Sequence, residues 1–239
     1  MRTRSNSAEQ TQSKSSFNQS LTMPMPLKIN IAPAPALARR SLIAAALVAA
    51  PALWLGPRAQ PALTRTATPS QSEGPFYPVK LPKDADFDLI RHGSLTYSQG
   101  QPSWVEGSVT DLQGRPVKGA QVEIWQCDHA GRYDHPGDGG RIDAAFQGFG
   151  RVAVDAQGMY RFRTIRPHPY SGRTPHIHVK VKLGPHELLT TQLYVAGDAG
   201  NERDFLWRRL SGPARDALTV PFTPTADGLR AVFLIVVDA

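Results

Sequence analysis

Cysteine is almost absent: the 239 residues include one, Cys127. A lone thiol closes no intrachain disulfide, so a hydrophobic core must hold the fold together. An excess of one charge is also absent from most of the chain. Residues 1–60 carry seven Lys/Arg and one acidic residue, net +6 of an overall +7, whereas residues 61–239 are nearly balanced at net +1. Nucleic-acid binding needs basic charge on the folded body, so no nucleic-acid partner is expected. No apolar run is long enough to span a bilayer. The best candidate follows Arg39-Arg40 and ends near Leu55, about 14 residues against the ~20 a spanning helix requires.

What is present divides into a leader and a body. Residues 1–38 are rich in Ser, Thr, Gln, Asn and Pro and read as a disordered leader, with Met23 or Met25 as alternative starts. Residues 39–62 have paired arginines, a short apolar run, then small residues and proline, the layout of a twin-arginine export signal. Cleavage is expected near Ala59 or Ala62. The expected location is the periplasm or the medium, with no stable membrane span after signal removal. That route resembles a path for proteins folded before export, often with a cofactor in place. Residues 63–239 are long enough for one well-buried domain, and they show no internal repeat and no second linker.

The body reads as all-β, a two-sheet sandwich with long loops. Alternating or apolar segments predict strands over 103–110, 117–126, 159–164, 176–183 and 188–195. Residues 231–237 are almost wholly apolar and predict a central strand buried on both faces. Only 201–210 reads as helical. The Gly-rich segment 127–151 is too long for a plain connection and reads as functional or mobile.

Two loops carry the chemistry. Residues 166–182 contain Tyr170-Ser171-Gly172-Arg173 and then His176-Ile177-His178. Residues two apart on a strand share a face, so both imidazoles leave in one direction, close enough to share a metal ion. Ile177, Val179, Val181 and Leu183 then point into a core, while Lys180 and Lys182 carry the histidine face out to water. Taken alone, the pair reads more readily as two polar side chains on a wet face. The second loop follows the predicted strand 117–126 and brings Tyr133. If Tyr133 reaches the histidines, the donors are two phenolates and two imidazoles. Zinc favours Cys, His and carboxylate, and calcium and magnesium favour carboxylates, carbonyls and water. Anionic oxygens with imidazole suit a harder, more highly charged ion, and Fe(III) fits. Two rivals remain: a sandwich binding module with an idle metal site, and a zinc hydrolase using His176 and His178.

Four segments in order resemble the intradiol ring-cleaving aromatic dioxygenases, the family of protocatechuate 3,4-dioxygenase and the catechol and hydroxyquinol 1,2-dioxygenases. They are Thr68-Pro69-Ser70-Gln71-Ser72-Glu73-Gly74-Pro75-Phe76-Tyr77-Pro78, then residues 122–133, then 164–178, then Thr191-Gln192-Leu193-Tyr194. The resemblance implies Fe(3+) held by Tyr133, Tyr170, His176 and His178, with a solvent hydroxide as fifth ligand. It implies a small aromatic diol and O2 as substrates, and a cis,cis-muconate-type diacid as product. Tyr170 would give way to the diol and take one of its protons. Arg173 would stabilise charge developing on the ring. Gln192 and Tyr194 would orient the groups nearest the metal, and Gly74, Pro75 and Trp125 would line the substrate pocket.

The chain departs from the family pattern in two places. Only Ser171 and Gly172 separate the second tyrosine from the arginine, where longer members carry several residues. A low wall and a more open site are expected. What precedes Thr68 reads as leader, not as the helical domain of the catechol enzymes, so any homo-oligomer would use another surface. Tyr160 and Tyr194 sit in predicted strands and read as core or sheet residues, while Tyr77 and Tyr97 have no evident partner. His92, His129, His135, His168 and His186 read as solvated, Glu73 as part of a turn, and residues 198–204 as a loop and helix cap.

Overall fold

The structure, a computed structural model, describes residues 65–139 and 142–239. The leader at 1–38 and the signal segment at 39–62 lie outside the described residues. All that is described falls within one compact unit, Gly56–Ala239.

A small hairpin, β1 (Arg91–His92) and β2 (Leu95–Thr96), precedes two five-stranded sheets. The first sheet is built on β3 (Pro102–Asp111). It pairs antiparallel with β6 (Met159–Ile165), Val105 opposite Phe162. Two short strands, β11 (Gly228–Val232) and β12 (Ile235–Val237), run parallel to successive parts of it, and β10 (Thr223–Thr225) pairs with β11. The second sheet has the order β5 (Phe149–Ala153), β4 (Ala120–Trp125), β7 (His176–Leu183), β8 (His186–Val195), β9 (Thr219–Val220).

Alternation decides which residues meet between the sheets. Val105, Val109 and Phe162 come from the first, and Val122, Ile124, Ile177, Val179, Val181 and Leu193 from the second. Each is buried, and burying a side chain of this size stabilises by ~1.5–3 kcal/mol. The same pleat that sends Ile177 and Val179 inward sends His176 and His178 to the opposite face.

Several expectations need correction. The apolar stretch 231–237 is not one central strand. It breaks at Phe233-Leu234, where the Phe233 amide donates to the Glu106 carbonyl (2.8 Å) and the Tyr160 hydroxyl donates to the Phe233 carbonyl (2.7 Å). The break passes over Gly107, where an added Cβ would overlap the Phe233 carbonyl. Val232 and Leu234 face solvent. The helical region is shorter than predicted at 201–210 and is not alone. A 3-10 turn, Asn201–Arg203, leads into α1 (Phe205–Arg209), and α2 (Gly212–Leu218) follows, capped by the Ser211 hydroxyl with a proline in its first turn. A further 3-10 turn, Pro136–Asp138, interrupts the long loop. That loop ends at β5, an edge strand the sequence did not announce. Its glycine, Gly150, lies against Leu89 and the Asp86 carbonyl, where no side chain fits. The strand predicted at 117–126 begins at Ala120, because Val117 closes a turn onto Val109. Leu183 lies at the rim of the sheet, exposed, not in the core. Lys180 does not reach open water: it is 6% exposed and ion-paired to Glu73 and Glu187.

Candidate functional site

The site lies on the face of the second sheet that points away from the core. Sheet register sets one row across it: Phe149 opposite Trp125, Trp125 opposite His178, His178 opposite Gln192. The next row brings His176 opposite Tyr194. These are consequences of pairing, since alternate residues on adjacent strands stand side by side.

Two loops bring the tyrosines to this row. Tyr133 arrives on a turn organised by Asp128, whose Oδ1 accepts from the Ala130 and Arg132 amides at 2.8 and 3.0 Å and whose Oδ2 accepts from the Asp143 amide at 3.1 Å. Gly131 in that turn has φ +75° and runs so close to the Pro169 carbonyl that a Cβ there would sit 3.0 Å from it. This close approach ties the Tyr133 loop to the Tyr170 loop. Tyr170 faces Arg173 across a two-residue turn in which Ser171 and Gly172 both have positive φ, 44° and 78°. Positive φ at both central positions is the I′ geometry, which glycine adopts freely and serine at a cost.

The four predicted ligands come together. The Nε2 atoms of His176 and His178 are 3.2 Å apart. The Tyr133 and Tyr170 ring centroids are 4.9 Å apart, and Tyr170 lies 5.5 Å from the His176 ring. Tyr133, His176 and His178 are 1–2% exposed and Tyr170 is 9% exposed, so Tyr170 is the member nearest to solvent.

The cluster is left electrostatically incomplete. His176 Nδ1 lies 2.6 Å from the Thr174 carbonyl, which only accepts, so Nδ1 carries the proton and Nε2 presents a lone pair. His178 Nδ1 and the Tyr133 hydroxyl are buried with no hydrogen-bond partner among the described residues. An unmet buried polar group costs ~1–3 kcal/mol. Burial pushes the Tyr133 hydroxyl well above the ordinary phenol range and also raises Tyr170. Burial, with Arg173 nearby, pulls His176 down to about 3, and burial and His176 hold His178 well below its ordinary value. The protein alone therefore keeps phenols protonated and imidazoles neutral. A multiply charged cation at the Nε2 atoms reverses that logic for the phenols, which ionise against it, and takes up both lone pairs. The donor set thus fits a ferric ion. Among the described residues no group of three or more His, Cys, Asp and Glu forms a metal-sized cluster, so the zinc alternative lacks a third ligand of its usual kind.

Arg173 is buried and fixed. Its Nε donates to Asp204 Oδ2 at 2.7 Å and its Nη2 to Gln192 Oε1 at 2.7 Å. Asp204 Oδ2 also takes the Thr174 amide, while Oδ1 caps α1 through the Leu206 and Trp207 amides. One carboxylate thus joins a helix start to the site arginine. Gln192 donates to the Ser72 carbonyl at 2.8 Å, and the Tyr194 hydroxyl reaches Gln71 and Gln192, both at 3.0 Å. Tyr194 is therefore buried in the sheet with its hydroxyl turned to the site.

Segment 68–78 lies across this face. Gly74 has φ +75°, and a Cβ there would meet His178 Cε1 at 3.2 Å. Pro75 is exposed, and its neighbour Phe76 stacks on Tyr133 with centroids 4.7 Å apart. Trp125 lies flat on His178, 4.8 Å and 7° apart, and is braced from the side by Tyr77 at 5.0 Å. Tyr77 does have partners. Its hydroxyl donates to the buried Glu123 Oε2 at 2.8 Å, and Lys180 Nζ lies 4.3 Å from its ring. Glu73 is ion-paired to the same Lys180. Glu123, Lys180, Asp128 and Asp204 were missed as site residues. The Asp-x-x-Gly spacing of the Asp128 turn was a usable signal; for the other three, the contacts that matter at the site, Glu123 to Tyr77, Lys180 to Glu73 and Asp204 to Arg173, join segments far apart in sequence. Tyr97 is core, its oxygen accepting the His129 amide. His92, His129, His135, His168 and His186 join no metal cluster, although His135 packs against Phe76 and His129 against His168.

Two clefts flank the cluster. One, about 480 Å³, is lined by Phe76, Trp125, Tyr133 and Phe149. The other, about 590 Å³, is lined by Tyr170 and Arg173 and opens over Ser171-Gly172.

Comparison with known proteins places this chain. A family model, Dioxygenase_C, described as Dioxygenase, matches residues 72–234. Hydroxyquinol 1,2-dioxygenase of Rhodococcus opacus is 34% identical over 182 residues, covering 68% of this chain and 58% of that protein. The protocatechuate 3,4-dioxygenase beta chain of Burkholderia cepacia is 38% identical over 161 residues, covering 62% of this chain and 68% of the relative. The chain thus spans somewhat more than half the length of the hydroxyquinol enzymes it matches. Among solved structures, the dioxygenase domain of a dioxygenase carbohydrate-binding protein fusion from Streptomyces sp. SirexAA-E is 32% identical, with a TM-score of 0.59, covering 73% of this chain and 99% of that one. With the sandwich and these relatives in agreement, the chain belongs to the intradiol ring-cleaving dioxygenase family.

Proposed function

We propose that this protein is a non-haem Fe(III) dioxygenase that cleaves a catechol-type diol between its two hydroxyls, adding both atoms of O2 to give a muconate-type diacid. One observation carries the reading: two facing imidazole nitrogens and two buried tyrosines converge beside a fixed arginine. Tyr133, Tyr170, His176 and His178 would hold the ion. When bound, the ferric ion supplies Lewis acidity to both diol oxygens and makes the ring reactive toward O2.

The chain's own residues do the rest. Tyr170, the least buried of the four, swings aside for the diol, and its Oη takes a diol proton. Arg173, with Nε and Nη2 occupied by Asp204 and Gln192, keeps its guanidinium fixed beside the reacting ring and stabilises negative charge there without reorganising. Gln192 and Tyr194 hold that guanidinium in place. Phe76 and Trp125 keep water from Tyr133 and His178. Export through the twin-arginine route belongs to this proposal on the strength of Arg39-Arg40 and the apolar run after it. Among the described residues no helix is long and apolar enough to cross a membrane. The proposed partners are a small aromatic diol and O2.

The test is the visible spectrum of the protein as purified, before and after catechol is added under nitrogen. A broad phenolate-to-iron band that moves to longer wavelength with catechol is expected. Protein that stays colourless after ferric reconstitution removes the dioxygenase reading.

A further inference from the structure

We infer that Lys180 is a positioning residue for the site: its ammonium grips both ends of the span 73–77 and so keeps Gly74, Pro75 and Phe76 seated over two of the proposed iron ligands. Its effect on the reaction rests on the proposed dioxygenase reading, whereas the clamp itself rests on the fold alone.

Regular bonding to the sheets stops on either side of this span. Upstream, the Gln71 amide donates to the Thr190 carbonyl at 2.9 Å, Thr191 Oγ1 to the Pro69 carbonyl at 2.7 Å and Gln192 Nε2 to the Ser72 carbonyl at 2.8 Å. Downstream, the Arg151 amide donates to the Ala85 carbonyl at 2.8 Å. Between them, among the described residues, no hydrogen bond from main chain to main chain joins residues 73–84 to either sheet. Side chains must hold this stretch, and its contacts with the cluster are close: Gly74 lies against His178 and Phe76 on Tyr133.

Register puts Lys180 in the row next to that of His178, between Glu123 of β4 and Thr190 of β8. From there Nζ pairs with Glu73 at one end of the span and lies 4.3 Å from the Tyr77 ring at the other. An ammonium at that distance is attracted to the ring face. The Tyr77 hydroxyl donates to Glu123 at 2.8 Å, and its ring braces Trp125, which lies flat on His178. The remaining partner of Nζ, Glu187 at 2.8 Å, belongs to β8 and not to the span. Without the ammonium the two carboxylates repel. Glu187 still accepts from Thr190 Oγ1 at 2.7 Å, so Glu73, already 42% exposed, is the one that turns to water and draws the span off the cluster.

The test reads the span first without metal. Chymotrypsin should cleave after Phe76 about tenfold faster or more in metal-free Lys180→Met than in the parent, because a charged hydrogen bond has gone from the span. A denaturant melt separates opening of the span from global unfolding. Lys180→Arg should restore part of the protection, and Glu187→Gln should be cleaved like the parent. In the iron-loaded protein, Lys180→Met should move the phenolate band, since Tyr133 loses its cover. It should also raise the diol KM about tenfold with kcat within about twofold, since Arg173 is untouched. Parent-like cleavage of Lys180→Met overturns the clamp whether or not iron binds. Faster cleavage with the band and KM unchanged overturns the positioning role and leaves a structural contact. If no form binds iron, the dioxygenase reading falls and the cleavage rates alone decide the clamp. If Lys180→Met does not fold, Glu73→Gln weakens the same pair from its exposed end: faster cleavage keeps the clamp, and parent-like cleavage removes it.

Discussion

On one side of β7, Ile177, Val179 and Val181 are buried against apolar residues of both sheets. On the other side, His176 and His178 are buried just as deeply, among two tyrosines, a tryptophan and an arginine. The inner face is complete in itself, because apolar packing leaves no group unmet. The outer face is not: the Tyr133 hydroxyl and His178 Nδ1 have no partner among the described residues. Equal burial thus has opposite meanings. Inside it is the source of stability, and outside it is a cost, accepted where function needs dry, pre-placed donors.

The contrast is broken most strongly at Tyr133. Tyr133→Phe should abolish iron binding and turnover together, by more than the ~10–100-fold that even a supporting residue costs. The metal-free variant should be no less stable than the metal-free parent, and more stable by up to ~1–3 kcal/mol, because an unmet buried hydroxyl is gone. Metal analysis and denaturant melts check both. Full iron content in the variant would remove Tyr133 from the ligand set.

Arg173 tests the wall of the site. Arg173→Ala should retain iron and still form the anaerobic diol complex, with kcat down by ~10²–10³-fold. Stopped-flow mixing with O2 separates the steps, and normal turnover would end the charge-stabilising role.

The inner face should respond in the opposite way. Ile177→Ala should lower unfolding free energy by ~2–5 kcal/mol through lost burial and the cavity left behind. Iron content per folded molecule should stay near the parent's, because the altered side chain points away from the cluster. Loss of iron from protein that is still folded would show that the two faces are coupled through the strand.

Much of the second sheet was legible in the sequence. The alternation over 176–183 gave β7 its bounds and its two faces, and the four ligand candidates follow from that alternation and the family's motifs. The break at Phe233-Leu234 was not legible, because an apolar run gives no sign of Gly107 on another strand, which makes room for it. The edge strand β5 was hidden in a Gly-rich loop whose pairing with β4 is non-local. Lys180 misled because a lysine continuing a polar face reads as solvated, and nothing nearby in sequence announces Glu73, about a hundred residues away.

The sequence by itself determined the residue types, the period-two placement of His176 and His178, and the balanced charge of the body, because these depend on identity and local spacing alone. Only the tertiary structure decided that Asp204 would anchor Arg173 and that Glu123 would hold Tyr77 beside Trp125. Those outcomes come from contacts between distant segments, and such contacts are fixed by the packing of the whole fold rather than by any local stretch of chain.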